Sequence, residues 1–96
     1  MNEKSVEEYL CKRVKDTLHG KAYKYTSPGN NGVPDRLVLI PGGRVYFIET
    51  KAPGKRPRKL QNYVHDEIRN MGCVVLTIDT KSKVDSFVEE VLRGAI

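Results

Sequence analysis

The chain has 96 residues, with 17 lysines and arginines against 12 acidic residues and a formal net charge of +5. That length suits one small domain over residues 1–96, with a single core and no room for separate catalytic and recognition domains; a basic surface suits an anionic partner, so binding and chemistry must share it. No stretch approaches the roughly 20 apolar residues of a membrane span, and the charged start Met1-Asn2-Glu3-Lys4 lacks an apolar core, so a soluble, unexported, cytoplasmic protein with no membrane partner is expected.

In chain order, Glu3 to Leu18 carries Val6, Leu10, Val14 and Leu18 at the spacing of an amphipathic helix. Stepping about 100° per residue puts Glu3 near the centre of that stripe, Glu7 toward its edge and Glu8 away from it. An acid on the core side is costly unless paired or bound to a metal, although the first turn of a helix also favours an acid through its dipole. Cys11 and Cys73 are isolated and read as reduced thiols, and His19 and His65 read as surface or helix-end residues. Ala22 to Thr26 reads as a short strand with Tyr23 and Tyr25 used for packing. The Ser27 to Gly32 segment is a loop by its Pro, Gly and Asn content, and its glycines would let main-chain amides approach a phosphate.

Leu37 to Ile40, Pro41-Gly42-Gly43 and Arg44 to Ile48 then predict a β-hairpin with a three-residue loop. Lys55-Arg56-Pro57-Arg58-Lys59 leads into a second helix, expected from Pro57 to a stop at Gly72, with Leu60, Val64, Ile68 and Met71 toward the sheet and Gln61 on the flank. Cations at a helix start oppose the dipole, which suggests phosphates as the neighbours of Lys55, Arg56, Arg58 and Lys59. Cys73 to Ile78 reads as a buried strand, and Ser82 with Asp85 as the capping start of a last helix bearing Val84, Phe87, Val88, Val91 and Leu92. The order is α-β-β-β-α-β-α, an α/β fold with a mixed sheet flanked by helices.

The hairpin carries the chemistry. Pairing Ile40 with Arg44 and Leu37 with Phe47 leaves Asp35 opposite Glu49, and opposed like charges about 5 Å apart are destabilising unless something positive lies between them. Alternation puts Val45, Phe47, Glu49 and Lys51 on one face and Tyr46, Ile48 and Thr50 on the other. Mg²⁺ takes one or two protein carboxylates together with substrate phosphate, a demand that Asp35 and Glu49 meet. Lys51 would then orient or deprotonate a nucleophile, or stabilise negative charge as it develops.

Gly32-Val33-Pro34-Asp35-Arg36-Leu37-Val38, Phe47-Ile48-Glu49-Thr50-Lys51-Ala52-Pro53-Gly54 and Leu60-Gln61, in this order, resemble a stand-alone VRR-NUC (virus-type replication and repair nuclease) domain of the PD-(D/E)xK superfamily, over nearly the whole chain. The resemblance implies a restriction-endonuclease-like core and hydrolysis of DNA with Mg²⁺ or Mn²⁺. Among minimal phage and prophage members it further implies homodimers acting on branched DNA such as four-way (Holliday) junctions. It implies a metal set of Asp35, Glu49 and the main-chain carbonyl of Thr50, with Lys51 catalytic and Gln61 positioning the lysine, water or phosphate. Related nucleases also place an acid on the first helix about one turn before its first core aliphatic, which maps to Glu3, with Glu7 the alternative. Two competing readings are a sequence-directed or nicking nuclease on linear duplex and a non-catalytic DNA-binding module. The second is disfavoured because phosphate binding gains nothing from opposed carboxylates.

Overall fold

The computed structural model describes residues 2–96. Its elements are α1 (Glu3–Leu18), β1 (Lys21–Lys24), β2 (Arg36–Ile40), β3 (Arg44–Thr50), α2 (Lys59–Asn70), β4 (Val74–Ile78) and α3 (Lys81–Leu92). The four strands form one sheet in the order β1-β2-β3-β4, antiparallel from β1 to β3 and parallel between β3 and β4. The expected order and mixed α/β class are therefore present.

The hairpin register follows the sequence: Ile40 pairs with Arg44 and Leu37 with Phe47, around a loop in which Gly42 and Gly43 both take positive φ, at 96° and 78°. Such angles are easy for glycine and unfavourable for other residues, so the loop chemistry fixes which residues face each other.

One face of the sheet is closed by α1 and α3. Asn2 caps α1 by accepting the Ser5 N–H at 2.9 Å, and Val6, Leu10, Val14 and Leu18 turn inward as the periodicity predicts. They pack with Val38, Ile40, Tyr46, Ile48, Val84, Phe87, Val88 and Val91 in one apolar core. Each fully buried aliphatic of this kind contributes about 1.5–3 kcal/mol relative to exposure. Asp85 accepts from both Tyr9 and Arg13, at 2.6 and 2.9 Å, and so ties α3 to α1. The other face is covered by α2 beside β4, while Tyr23, Leu39 and Val45 of the first three strands stay exposed.

Several boundaries differ from expectation. Strand β1 is Lys21–Lys24 rather than Ala22 to Thr26, because beyond it only the Tyr25 N–H bond to the Asp35 carbonyl continues the ladder before the chain turns away. Helix α2 begins at Lys59, not Pro57: the Gln61 side chain accepts the Arg58 N–H at 2.8 Å and makes Arg58 the cap. Helix α3 is capped by Thr80, whose hydroxyl accepts the Lys83 N–H at 3.1 Å, and not by Ser82. Leu92, expected in the core, is exposed at the last turn.

The loop before β2 rests directly on α2. Gly32 has φ +93°, and a Cβ there would stand 3.0 Å from Val64 Cγ2 and 3.1 Å from the Leu60 carbonyl oxygen. Only glycine fits this approach, and it brings the segment carrying Asp35 against the helix carrying Gln61.

Candidate active site

Asp35 stands just before β2, one step beyond the Arg36 to Ile48 pair and therefore across from Glu49. Its carboxylate, however, is held by the next residue of β3. Oδ1 accepts the Thr50 N–H at 2.8 Å and Oδ2 the Thr50 hydroxyl at 2.5 Å. Because the N–H and C=O of a strand residue leave by the same edge, the Thr50 carbonyl also lies on the Asp35 side.

Two further acids reach this point from α1. Glu7 Oε2 lies 3.4 Å from the Thr50 hydroxyl, and its other oxygen is paired with the Arg36 guanidinium. Oxygens of Glu3, Glu7 and Asp35 all lie within 4.8 Å of one another. Glu3 is nonetheless exposed rather than core-facing, and Val6 is the first side chain of α1 that is buried. The two candidates for the helix acid thus both approach Asp35, with Glu7 the more firmly anchored.

Glu49 points to the opposite face, toward α2, and is only 4% exposed. Its Oε2 receives Lys51 Nζ at 3.2 Å and Gln61 Nε2 at 3.3 Å. Gln61 is oriented by its own cap bond: Oε1 takes the Arg58 N–H, which leaves the amide N–H₂ for Glu49. The positive group expected between Asp35 and Glu49 is therefore Lys51 on the Glu49 side, whereas Asp35 is met by Thr50. Residue His65, expected at the surface, is 0% exposed, with Nε2 3.9 Å from Glu49 Oε1. The expected apolar face of α2 is rotated accordingly. Gln61 and His65 are buried, Val64 and Ile68 half-buried, and Leu60 and Met71 exposed, because the helix turns polar groups toward a buried carboxylate.

Burial raises the pKa of Asp35, partly offset by its two Thr50 bonds and reinforced by the nearby Glu7 charge. Burial also raises Glu49, with Asp35 adding to the rise and Lys51 opposing it. His65 is pushed down by burial and by Arg69 and Lys51, which keeps the ring neutral near pH 7. The raised pKa values of Asp35 and Glu49 mark an electrostatic cost of ionisation that a divalent cation relieves. The donor set fits a hard oxygen-loving ion. Ligand oxygens on Mg²⁺ lie about 3 to 4.2 Å apart, given bonds of about 2.1 Å, so Glu3, Glu7 and Asp35 need only a modest inward closure.

Comparison with known proteins decides the family. The chain is 41% identical over 81 residues to "Putative nuclease p44" of Acyrthosiphon pisum secondary endosymbiont phage 1, covering 84% of this chain and 86% of that protein. It is also similar to a solved structure of a VRR_NUC domain, with a TM-score of 0.84 and 31% identity over 91% of this chain and 94% of the other. The chain belongs to the VRR-NUC nucleases. No family model matches it. Membership makes this VRR-NUC protein a nuclease, and among its described residues no helix is long and apolar enough to cross a membrane.

In this VRR-NUC chain the basic run Lys55, Arg56, Arg58 and Lys59 is exposed throughout, the first three on the connection from β3 to α2 and Lys59 at the start of α2. Lys55 and Arg56 line an open cavity of about 260 Å³ with Asn62, Thr77 and Lys83, beside the Glu49 end of β3. Sequence reasoning did not single out Arg36, His65 or the Thr50 hydroxyl. Arg36 had no legible signal, since its partner Glu7 is 29 residues away. His65 did have one: Gln61 and His65 are four apart on a helix and share a face.

Proposed function

We propose that this VRR-NUC chain is a Mg²⁺- or Mn²⁺-dependent DNA endonuclease that acts as a homodimer on branched DNA, four-way junctions foremost. The observation that carries the metal-dependent reading is the convergence at one sheet end of two groups: the Glu3, Glu7 and Asp35 oxygens, and the Glu49–Lys51 ion pair. A phosphate-binding module has no use for such a concentration of acids.

In this reading Asp35, Glu49 and the Thr50 carbonyl hold the ion, with Glu7 or Glu3 completing the set. When bound, the ion polarises the scissile phosphate and lowers the pKa of a ligated water. The residues themselves do the positioning. Thr50 orients both oxygens of Asp35 with its amide and hydroxyl, so the carboxylate is held in place before loading. Arg36 restrains Glu7. Lys51, half-buried and paired with Glu49, supplies positive charge where the phosphate would gain negative charge, or orients the attacking water. Gln61 holds Glu49 on the side facing α2, and Lys55, Arg56, Arg58 and Lys59 grip flanking phosphates.

Dimerisation and branch preference are supported by the VRR-NUC likeness and by symmetry. One chain carries one such site, and two cuts in a junction need two, for which a C2 dimer is the economical arrangement. The test is cleavage of labelled four-way junction, flap and linear duplex with Mg²⁺, with Mn²⁺ and with EDTA, alongside light scattering for the oligomeric state. Cuts that follow the branch point and vanish in EDTA are expected. Fixed cuts on linear duplex would replace the branch reading with a sequence-directed one, and metal-independent cleavage would overturn the assignment of the acids. In Lys51→Ala, hydrolysis should fall on the order of 10²–10³-fold with DNA binding retained; wild-type cleavage would remove Lys51 from its role.

A further inference from the structure

Helix α2 sends two polar side chains inward one turn apart, and only one of them is explained by the contacts already described. Gln61 spends its amide oxygen on the Arg58 N–H and its nitrogen on Glu49 Oε2. His65 is wholly buried, and neither ring nitrogen has a hydrogen-bond partner among the described residues. Glu49 Oε1 is buried and likewise without a partner, and it is the atom that faces His65 Nε2, at 3.9 Å. A buried nitrogen left bare is costly, and a side chain kept only for its volume would be Leu or Phe, which bring no such atom. Here one bare donor faces one bare acceptor about 1 Å beyond bonding length.

We propose that His65 is a positioning residue that fixes the Glu49 carboxylate by donating its Nε2–H to Oε1. The inference rests on the reading of Glu49 as a site carboxylate and deepens it. With Lys51 and Gln61 on Oε2 and His65 on Oε1, both oxygens of Glu49 gain a donor, and the carboxylate is locked in one rotamer. Each oxygen keeps lone pairs for a further ligand. The geometry also selects the tautomer: a lone pair on Nε2 would face a carboxylate oxygen repulsively, so the proton sits on Nε2. Outer groups that orient a ligating carboxylate are worth about 10- to 100-fold in metal affinity or activity.

The test combines a readout that needs no catalysis with one that does. ¹⁵N–¹H NMR of the imidazole in the unloaded wild type should show the Nε2–H tautomer, with a signal that shifts in Glu49→Gln. An Nδ1–H tautomer, or a signal blind to Glu49→Gln, overturns the proposal even if cleavage and its dependence on Lys51 stand. Among variants that retain the wild-type melting temperature, His65→Leu should lose about 10- to 100-fold in Mn²⁺ affinity or kcat. His65→Gln, whose amide nitrogen reaches the place of Nε2, should recover most of that loss. Equal behaviour of the Leu and Gln variants overturns the proposal, as does a Leu variant with wild-type Mn²⁺ affinity and kcat. If the wild type itself fails to cleave any DNA, the nuclease reading falls while the NMR result still decides the His65 contact.

Discussion

On the face of the sheet beneath α1 and α3, Val38, Tyr46 and Ile48 meet Leu10, Val14, Phe87 and Val88, and every one of these side chains is buried. On the opposite face, Glu49, Gln61 and His65 are buried beside α2, while Tyr23, Leu39 and Val45 of the same sheet are 39–46% exposed. The first face removes apolar area from water and asks nothing of direction. The second accepts buried polar groups and leaves apolar ones outside, the reverse of what stability alone would select. The difference teaches where this small chain keeps its stability and where it keeps its chemistry. Both draw on one strand, β3, whose alternate residues serve the two faces.

Four changes would break or sharpen that contrast. The largest effect belongs to the apolar face. Leu10→Ala should cost about 2–5 kcal/mol, a drop of roughly 10 °C or more in melting temperature for a domain of this size, read by thermal denaturation. A shift of only a degree or two would mean that α1 is not integral to the core. Next comes metal: Mg²⁺ at about a hundred times its dissociation constant should raise unfolding free energy by about 2.7 kcal/mol, and much less in Asp35→Asn. An equal rise in both proteins would show that the ion binds elsewhere.

The third change, smaller, is Glu49→Gln, which should stabilise the metal-free protein at neutral pH while abolishing cleavage. The folded pKa of Glu49 is raised above its ordinary 4.5, mainly by burial, so the native state holds its proton more tightly than the unfolded chain does. Wild-type stability therefore falls as pH rises from the unfolded value through the folded one, and the variant lacks that loss. The gap in stability between variant and wild type should open from about pH 4 upward and then level off, as followed by urea titration across pH. A variant less stable than wild type at pH 7 would mean that the Lys51 pair outweighs the burial cost. The smallest effect belongs to the open apolar patch, where Leu39→Ala should change unfolding free energy by no more than about 0.5 kcal/mol. A loss of several times that would show that the patch is covered in solution.

How far the sequence could be read follows the same division. The stripe Val6, Leu10, Val14 and Leu18 and the alternation around Gly42-Gly43 announce α1 and the hairpin, because apolar burial leaves a periodic trace. Asp35, Glu49 and Lys51 stood out because a loop and strand of known length fix their separation. The orientation of α2 was only partly legible in hydropathy: of the expected apolar stripe, Val64 and Ile68 are half-buried while Leu60 and the C-cap Met71 lie in solvent, and Gln61 and His65 are inside. What turns that helix is a carboxylate on another strand, a long-range condition that no local pattern contains. The switch of Asp35 from Glu49 to Thr50 is of the same kind, decided by a side-chain hydroxyl rather than by strand register.

Gly32 couples the two halves of the site mechanically. With no room for a methyl group between it and the Leu60 to Val64 turn, the segment leading to Asp35 and the helix holding Glu49 through Gln61 are packed as one body. Ligation at the aspartate side should then be felt as slower amide exchange around Leu60 and Val64, although neither residue touches the ligand. A Gly32→Ala chain, forced to open that seam, would keep every acid, amide and lysine of the site and lose their common frame of reference.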